Sequence, residues 1–136
     1  MKSSEFIVEL KSSAEVRELE SQLDHMFSTL GLDVEFTNHF VERLLGREKS
    51  ITIDEIRTAF EKLKKKYKNK LLKAKKQGQV RSALQDFDTD LNVVFTIEPD
   101  KQGDGYDLVN LTVMRLPPEK FRNTNVKTPY PVGSKK

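Results

Sequence analysis

The sequence predicts an α+β fold, with amino-terminal helices packed on one face of a small antiparallel β-sheet (a meander) and an extended C-terminal tail. Apolar residues recur at helical intervals in the first half of the chain and alternate with polar residues from residue 91 onward. Helices that precede strands favour this class over a parallel α/β sheet. The length of 136 residues suits one domain, which we assign to residues 1–116, followed by a proline-rich basic tail at 117–136.

Two helices are predicted before residue 50. The first, at about 13–30, opens with a Ser-x-x-Glu capping box, and Gly31 follows it as a favourable end. The second is short: Asn38 suits its N-cap position, and it finishes near Gly46 or Arg47. Each has one apolar side, so we expect both to cover the same face of the sheet.

The third helix has the clearest start signal and the highest charge. Thr52 and Glu55 form a capping box, and Gly78 is the expected end. Residues 62–76 contain nine lysines and no acid, a block that creates a local positive field although the net charge of the chain is only +3. Two interpretations stay open: a solvated helix face, or a surface for nucleic acid. The candidate nucleic-acid-binding residues are Lys62, Lys64, Lys65, Lys66 and Lys68.

The second half of the chain predicts an antiparallel meander. The expected strands are residues 80–87, 91–97 and 106–116, and the stretch rich in Pro, Asp and Gly at 99–105 is typical of a hairpin loop. A further short strand is expected at 6–10. Alternation turns Leu91, Val93, Phe95 and Ile97 toward the helices, and it leaves polar side chains on the opposite face, namely Asn92, Thr96, Asn110 and Thr112.

Composition and motifs exclude several classes of function. The chain has no cysteine, which rules out disulfides, thiolate metal ligands and cysteine nucleophiles. No apolar run approaches the roughly 20 residues that span a bilayer, and the N-terminus lacks the features of a secretory signal, so we expect a cytoplasmic protein with no membrane partner. Asp86, Asp88 and Asp90 lack the glycine and glutamate of a calcium loop. No phosphate-binding loop, zinc-protease or dinucleotide motif occurs, and we expect no metal and no cofactor.

His39, Arg43 and Arg47 are the main candidates for chemistry. A four-residue step advances about one helical turn, so the three side chains are expected along one side of the second helix. Imidazole transfers protons near neutrality, and guanidinium groups bind phosphate through two donors at once. The alternative is a histidine without a task and arginines in surface ion pairs. Thr112 and Arg115 are weaker candidates from the last strand, where strict alternation places Arg115 on the apolar side, although its position near the strand end allows it to turn outward.

The segment N-H-F-V-E-R-L-L-G-R-E-K-S-I-T-I-D-E-I, residues 38–56, resembles a signature of small RelE-like and phage-encoded proteins. These belong to the superfamily of barnase, EndoU, colicin and RelE ribonucleases, and the resemblance extends to residue 115 by the order of elements. It implies metal-independent cleavage of RNA on the sheet surface. In such an enzyme the ribose 2′-hydroxyl attacks its own phosphate, with His39 transferring protons and Arg43 and Arg47 stabilising the charge.

The leading hypothesis is therefore a small endoribonuclease of phage or toxin type that acts on single-stranded RNA, with an inhibitor protein as a further partner. It would act in the host cytoplasm, or travel in the virion if it is encoded by a phage. The competing hypothesis is a basic phage accessory or structural protein that binds nucleic acid or another protein without cutting. Convergence of His39, Arg43 and Arg47 beside a polar strand residue favours the enzyme, whereas scattered side chains favour the binding protein.

Overall fold

The computed structural model describes residues 12–77, 80–100, 105–121 and 126–133, and it confirms the α+β class. Over these residues the chain forms three α-helices: α1 (Ser13–Phe27), α2 (Asn38–Leu45) and α3 (Ile53–Lys76). The same ranges contain five strands: β1 (Leu32–Phe36), β2 (Val80–Asp86), β3 (Leu91–Pro99), β4 (Tyr106–Arg115) and β5 (Thr128–Val132). None of the helices in this part of the chain combines the length and the apolarity needed to cross a membrane.

The strands form one mixed sheet in the order β1-β4-β3-β2-β5. β2, β3 and β4 make the antiparallel meander that the alternation predicted. β1 pairs in parallel with β4, and β5 pairs in parallel with β2, so the sheet is wider than expected and not purely antiparallel. The strand predicted at 6–10 and the helix end predicted at Gly78 lie outside the described residues.

One face of the sheet packs against α1 and α3 and forms the hydrophobic core. The apolar residues of β3 predicted to face the helices are all buried there. Phe27 of α1 meets Phe60 of α3 edge to face, with 6.0 Å between the ring centroids, an arrangement that aromatic rings favour. The core residues of α1 recur at helical spacing and are Val16, Leu19, Leu23 and Phe27.

β1 is a strand that the sequence interpretation missed. Leu32, Val34 and Phe36 are buried, whereas Asp33 and Glu35 are exposed. The pattern L-D-V-E-F therefore has the two-residue period of a half-buried strand. This alternation is visible in the sequence, but it covers only five residues.

Part of the predicted proline-rich tail is a packed strand, β5, paired with β2. Tyr130 is only 1% exposed, and its ring lies 5.5 Å from that of Phe95, measured between centroids. Prolines are disfavoured within sheets because they cannot donate to the ladder. In β5, however, Pro129 and Pro131 turn their backbone groups away from β2, since their carbonyls accept hydrogen bonds from α3. The ladder between β2 and β5 therefore loses no donor.

Carboxylates from α1 close the β1 edge of the sheet. The backbone N–H of Val34 donates to Asp24 at 2.8 Å, and the N–H of Phe36 donates to Glu20 at 2.6 Å. Hydrogen bonds to a charged acceptor are stronger than neutral ones. These two outward N–H groups of β1 are thus paired with side chains instead of with another strand.

Donors from α3 close the β5 edge. The carbonyl of Pro131 accepts from Lys66 Nζ at 3.2 Å and from the Tyr67 hydroxyl at 2.7 Å. The carbonyl of Pro129 accepts from Lys70 Nζ at 3.2 Å. Tyr67 also departs from helical geometry, with φ of −120° and ψ of 26°, so α3 kinks at the residue that contacts β5.

A β-bulge in β4 changes which side chains face the helices. Thr112 is opposite Val94, but Asn110 is opposite Phe95, so Leu111 is the extra residue. Without the bulge, Asn110 and Thr112 would share a face. With it, Asn110 points to the helix side and is fully buried, which corrects its predicted place on the open face, while Thr112 stays on the open face.

The open face is partly covered by the chain that follows β4. Asn92 Nδ2 donates to the carbonyl of Leu116 at 2.7 Å, and Gln85 Nε2 lies 3.4 Å from the carbonyl of Pro118. Asn92 and Thr96 were expected to be open to a ligand, but both are buried. Of the polar residues predicted for this face, Thr112 is the one that remains partly exposed.

Lys62 links α3 to the end of β2 through two ion pairs. Its Nζ lies 3.1 Å from the fully buried carboxylate of Asp86 and 2.9 Å from that of Asp88. Burial lowers the pKa of Lys62, but the hydrogen bonds to Asp88 and Asp86 outweigh burial and hold this pKa above its usual value. The ammonium group therefore stays charged at neutral pH.

Lys62→Gln should destabilise the fold by roughly 2 kcal/mol, because the buried carboxylate of Asp86 loses its charged partner and keeps the backbone N–H of Asp88. Lys65→Gln is the matched control: it makes the same change at an exposed position of the same helix, and should alter the free energy of unfolding by no more than about 0.5 kcal/mol. Urea denaturation at neutral pH measures both. Equal losses in the two variants would contradict the role assigned to Lys62.

Candidate functional site

The candidate site lies where β1 ends and α2 begins, beside β4. Thr37 is the N-cap of α2, one residue before the predicted Asn38, and its hydroxyl accepts from the N–H of Phe40 at 3.1 Å. The N–H of Thr37 donates to the carbonyl of Asn110 at 3.2 Å, and its hydroxyl lies 3.4 Å from the carbonyl of Leu111. α2 therefore continues along β4 from the point where β1 stops.

His39 and Thr112 come together at this site. Nε2 of His39 lies 3.5 Å from Oγ1 of Thr112, across 73 positions of sequence. This distance is at the long limit of a hydrogen bond. His39 is exposed and Thr112 is partly exposed, so both groups are open to a ligand on the open face of the sheet.

Arg43 lies one turn after His39 and is held by β4. Its Nε donates to the carbonyl of Val113 at 2.6 Å, and its Nη2 lies 3.7 Å from Glu48. Glu48 in turn accepts from the backbone N–H of Arg115 at 3.2 Å. Together these groups cover the part of the β4 edge that β1 does not reach, so Arg43 has a role in the fold.

Arg47 does not continue the row that the spacing predicted. α2 ends at Leu45, and Gly46 has φ of −116° and ψ of −95°, outside helical geometry. A four-residue step places side chains in line only within a helix. Arg47 is therefore exposed beyond the helix end, and only His39 and Arg43 share one side of α2.

Arg115 is engaged inside the protein. Its guanidinium binds the carboxylate of Glu55 through both ends, at 2.7 and 3.2 Å, and donates to the carbonyls of Thr89 at 2.9 Å and Ser50 at 3.1 Å. The hydrogen bond to Glu55, despite partial burial, raises the pKa of Arg115. Arg115 is opposite Leu91 and stays on the helix side, as alternation predicted. Phosphate could bind this guanidinium only if these hydrogen bonds broke.

The predicted lysines divide into two groups. Lys62 binds Asp86 and Asp88, Lys64 donates to the carbonyl of Met26 at 2.7 Å, and Lys66 donates to that of Pro131. Lys65 and Lys68 are exposed and have no partner in the part of the chain that the structure describes. The lysine-rich helix is therefore in part a structural element.

An acidic cluster on the open face was not predicted. Carboxylate oxygens of Asp33, Asp100 and Asp107 lie within 4.8 Å of one another. Burial, and then the charges of Glu35, Asp100 and Asp33, raise the pKa of Asp107 to about 6. Oxygen ligands of this kind can hold Mg²⁺ or Ca²⁺, although exposed acids commonly cluster without an ion. The parallel pairing of β1 with β4 brings Asp33 opposite Asp107, and the linear sequence has no sign of it.

Asp86, Asp88 and Asp90 have other roles in the turn between β2 and β3. Asp86 and Asp88 bind Lys62. Asp90 adopts the left-handed conformation, with φ of 59°, and its carbonyl accepts from the N–H of Leu116 at 2.8 Å.

No protein-family model, curated protein or solved structure matches this chain. The family resemblance of residues 38–56 therefore stays a prediction, and function is inferred from the geometry of the site.

Asp107→Asn should stabilise the protein above about pH 6 and have little effect below about pH 4. The folded state raises the pKa of this carboxyl from 3.8 to about 6, so it binds the proton more tightly than the unfolded chain does. Ionisation of Asp107 therefore lowers the free energy of unfolding as pH rises from 3.8 to about 6. Because the group is partly exposed to solvent, we expect a gain of only about 1 kcal/mol at neutral pH.

Urea denaturation at acidic and neutral pH, with EDTA present to remove cations, measures this effect. Glu42→Gln replaces an exposed acid of α2 and serves as the control, with little change in stability at either pH. A gain from Asp107→Asn that is the same at both pH values would show that the acidic cluster does not raise the pKa of Asp107.

Proposed function

We propose that this protein is a metal-independent endoribonuclease with His39 as its proton-transfer group. The supporting observation is the solvent-accessible contact between His39 Nε2 and Thr112 Oγ1, at 3.5 Å. An accessible imidazole can accept a proton from a substrate hydroxyl, and an adjacent threonine hydroxyl can hydrogen-bond to its phosphate. The proposal agrees with the activity that the resemblance of residues 38–56 implies.

The proposed reaction is an internal transfer within RNA. The 2′-hydroxyl oxygen forms a bond to the adjacent phosphorus, and the bond from phosphorus to the 5′-oxygen of the next nucleotide breaks. His39 Nε2 accepts the proton of the 2′-hydroxyl, and the leaving 5′-oxygen takes a proton from the imidazolium or from water. The products are a 2′,3′-cyclic phosphate and a free 5′-hydroxyl. DNA lacks the attacking group and would not be cut.

Arg43 and Arg47 are the proposed sources of positive charge for the phosphate. The bond from Arg43 Nε to the carbonyl of Val113 fixes this guanidinium about one turn from His39 on the same side of α2. Arg47 is exposed beyond the helix end and can adjust to a ligand. Cationic donors near a phosphate stabilise the charge that develops in the transition state.

The acidic cluster on the same face is compatible with this assignment. Asp107 and Thr112 are opposite Glu98 and Val94, which are only four positions apart in β3 because Leu111 is a bulge residue, so the separation is about 13 Å along a strand. The distance exceeds the Debye length of about 8 Å at physiological ionic strength, so salt screens most of the repulsion. The RNA strand would extend from His39 in the direction away from Asp107.

The protein should cleave single-stranded RNA in the presence of EDTA and leave 2′,3′-cyclic phosphate ends, while DNA of the same sequence stays intact. His39→Ala should slow cleavage by roughly 10² to 10⁴-fold, the usual contribution of a positioned acid or base. Gel electrophoresis of end-labelled RNA, with phosphatase treatment to identify the ends, measures both results.

His25→Ala is the matched control, because His25 is the other histidine of the chain and is exposed on α1. It should cleave at the wild-type rate, and both variants should keep wild-type stability in urea. RNA that stays intact after prolonged incubation with folded protein would refute the ribonuclease proposal, as would equal rates for His39→Ala and the wild type.

A second candidate function is binding of nucleic acid without cleavage. It is favoured by the engagement of Arg43 and Arg115 within the fold, which reduces the positive charge available for chemistry. It is also favoured by four exposed lysines of α3 that have no partner among the described residues, namely Lys65, Lys68, Lys73 and Lys76.

Replacing these four lysines with glutamine should weaken RNA binding and flatten its salt dependence. For each phosphate of a single strand that the protein no longer neutralises, the slope of log affinity against log salt should fall by about 0.7. Helix content should change little, since glutamine and lysine have similar helix propensities. Fluorescence anisotropy of a labelled RNA, in a His39→Ala background that keeps it intact, measures the slope. An unchanged slope would identify these lysines as a solvated face.

A further inference from the structure

A shallow groove, widely open to solvent, lies between the C-terminal end of α1 and the middle of α3, on the helical side of the molecule. Its volume is about 430 Å³. His39 contacts Thr112, which lies on the open face of the sheet, so the groove is separate from the candidate catalytic site. The groove is lined by Met26, Glu61, Lys64, Lys65 and Lys68.

The floor of the groove is apolar and adaptable. Met26 is partly buried and packs against the hydrophobic core. A thioether side chain adjusts to different apolar partners and is common at surfaces that bind peptides. The lysine side chains add their aliphatic stems to this surface. No aromatic residue is among the groove-lining residues.

The rim of the groove carries a surplus of positive charge. Lys64 is held in place by its hydrogen bond to the carbonyl of Met26, at 2.7 Å, which uses one of its three donors. Lys68 follows it by four residues, a spacing at which like charges repel on a helix. Lys65 and Lys68 have no partner in the described chain. Glu61 is the acid of the lining and lies at the N-terminal end of this lysine group.

We propose that this groove docks an acidic segment of a partner protein. An apolar side chain of the segment packs on Met26, and its carboxylates bind Lys65 and Lys68. The charge complementarity supports an anion, and the apolar floor supports a peptide side chain. Lys65 and Lys68 also belong to the RNA surface of the second candidate function, so the two ligands are alternatives for these residues. The groove favours the peptide, because single-stranded bases stack on aromatic side chains, which this lining lacks. Glu61 repels carboxylates and so favours one direction of the segment along α3. The proposal does not depend on ribonuclease activity.

The test uses a synthetic amphipathic peptide with Leu at positions i and i+4 and Glu on the flanking positions. The full-length protein carries ¹³C-methyl methionine, so that Met26 and Met114 report separately in NMR spectra. Met114 is opposite Asn92, on the other face of the sheet. The acidic peptide should shift the methyl signal of Met26 and leave that of Met114 in place. A peptide with Lys in place of Glu should shift neither signal.

The variants test the rim charges. Lys65→Gln with Lys68→Gln should weaken peptide binding about tenfold, because removal of two facing charges reduces the electrostatic attraction. Lys73→Gln with Lys76→Gln removes the same charge from exposed positions of α3 outside the groove and should leave binding within about twofold. All four substitutions are at exposed lysines, so the variants should fold.

Three results would overturn the proposal. The first is an acidic peptide that does not shift Met26, and the second is equal weakening by the two double variants. The third is a shift of Met26 by a single-stranded RNA oligonucleotide that exceeds the shift caused by the peptide, since this would identify the groove as a nucleic-acid surface. None of these results bears on cleavage by His39, which is measured separately.

Discussion

Closure of the sheet edges by charged side chains is the constraint on which this structure depends. An edge strand presents unpaired backbone groups that invite pairing with another chain. Here each edge is closed by groups of the matching kind: carboxylates of α1 accept from the N–H groups of β1, and lysines of α3 donate to the carbonyls of β5. The residues of β5 that face outward are Pro129 and Pro131. Proline has no N–H group, so these two positions present no unpaired donor. The helices therefore cover the sheet on one face and also protect its margins.

This use of charge explains why several residues with an apparent functional signature serve the fold. Arg43 and Glu48 cover the β4 edge beyond β1, Arg115 binds Glu55, and Lys62 neutralises the buried Asp86. A guanidinium or ammonium group that completes such contacts is costly to remove. His39 differs from them because its side chain is exposed and its one described contact is long. We therefore expect a substitution of His39 to change activity with little effect on the stability of the fold.

Local patterns predicted the fold class, both capping boxes and the central meander, because capping and alternation act over a few residues. They did not predict β1 and β5, whose pairing joins distant segments in parallel. The bulge at Leu111 moved Asn110 to the buried side, and only the register of β4 against β3 shows it. At the candidate site, His39 and Thr112 were both candidates from the sequence, but their contact was not predicted, and the helix break at Gly46 separated Arg47 from the row. The acidic cluster at Asp107 could not be predicted from spacing, since tertiary pairing creates it.

The parallel pairing of β1 with β4 has a consequence for how the chain folds. Asn110 and Glu35 are hydrogen-bonded across 75 positions of sequence, so this pair can form only after a long loop closes. Loop closure of that length is entropically expensive, and contacts between distant segments slow folding. The meander and the helices can form from local contacts, whereas β1 can pair only after β4 has formed. The amino-terminal helices and the carboxyl-terminal sheet are therefore expected to fold as one cooperative unit rather than as two autonomous halves.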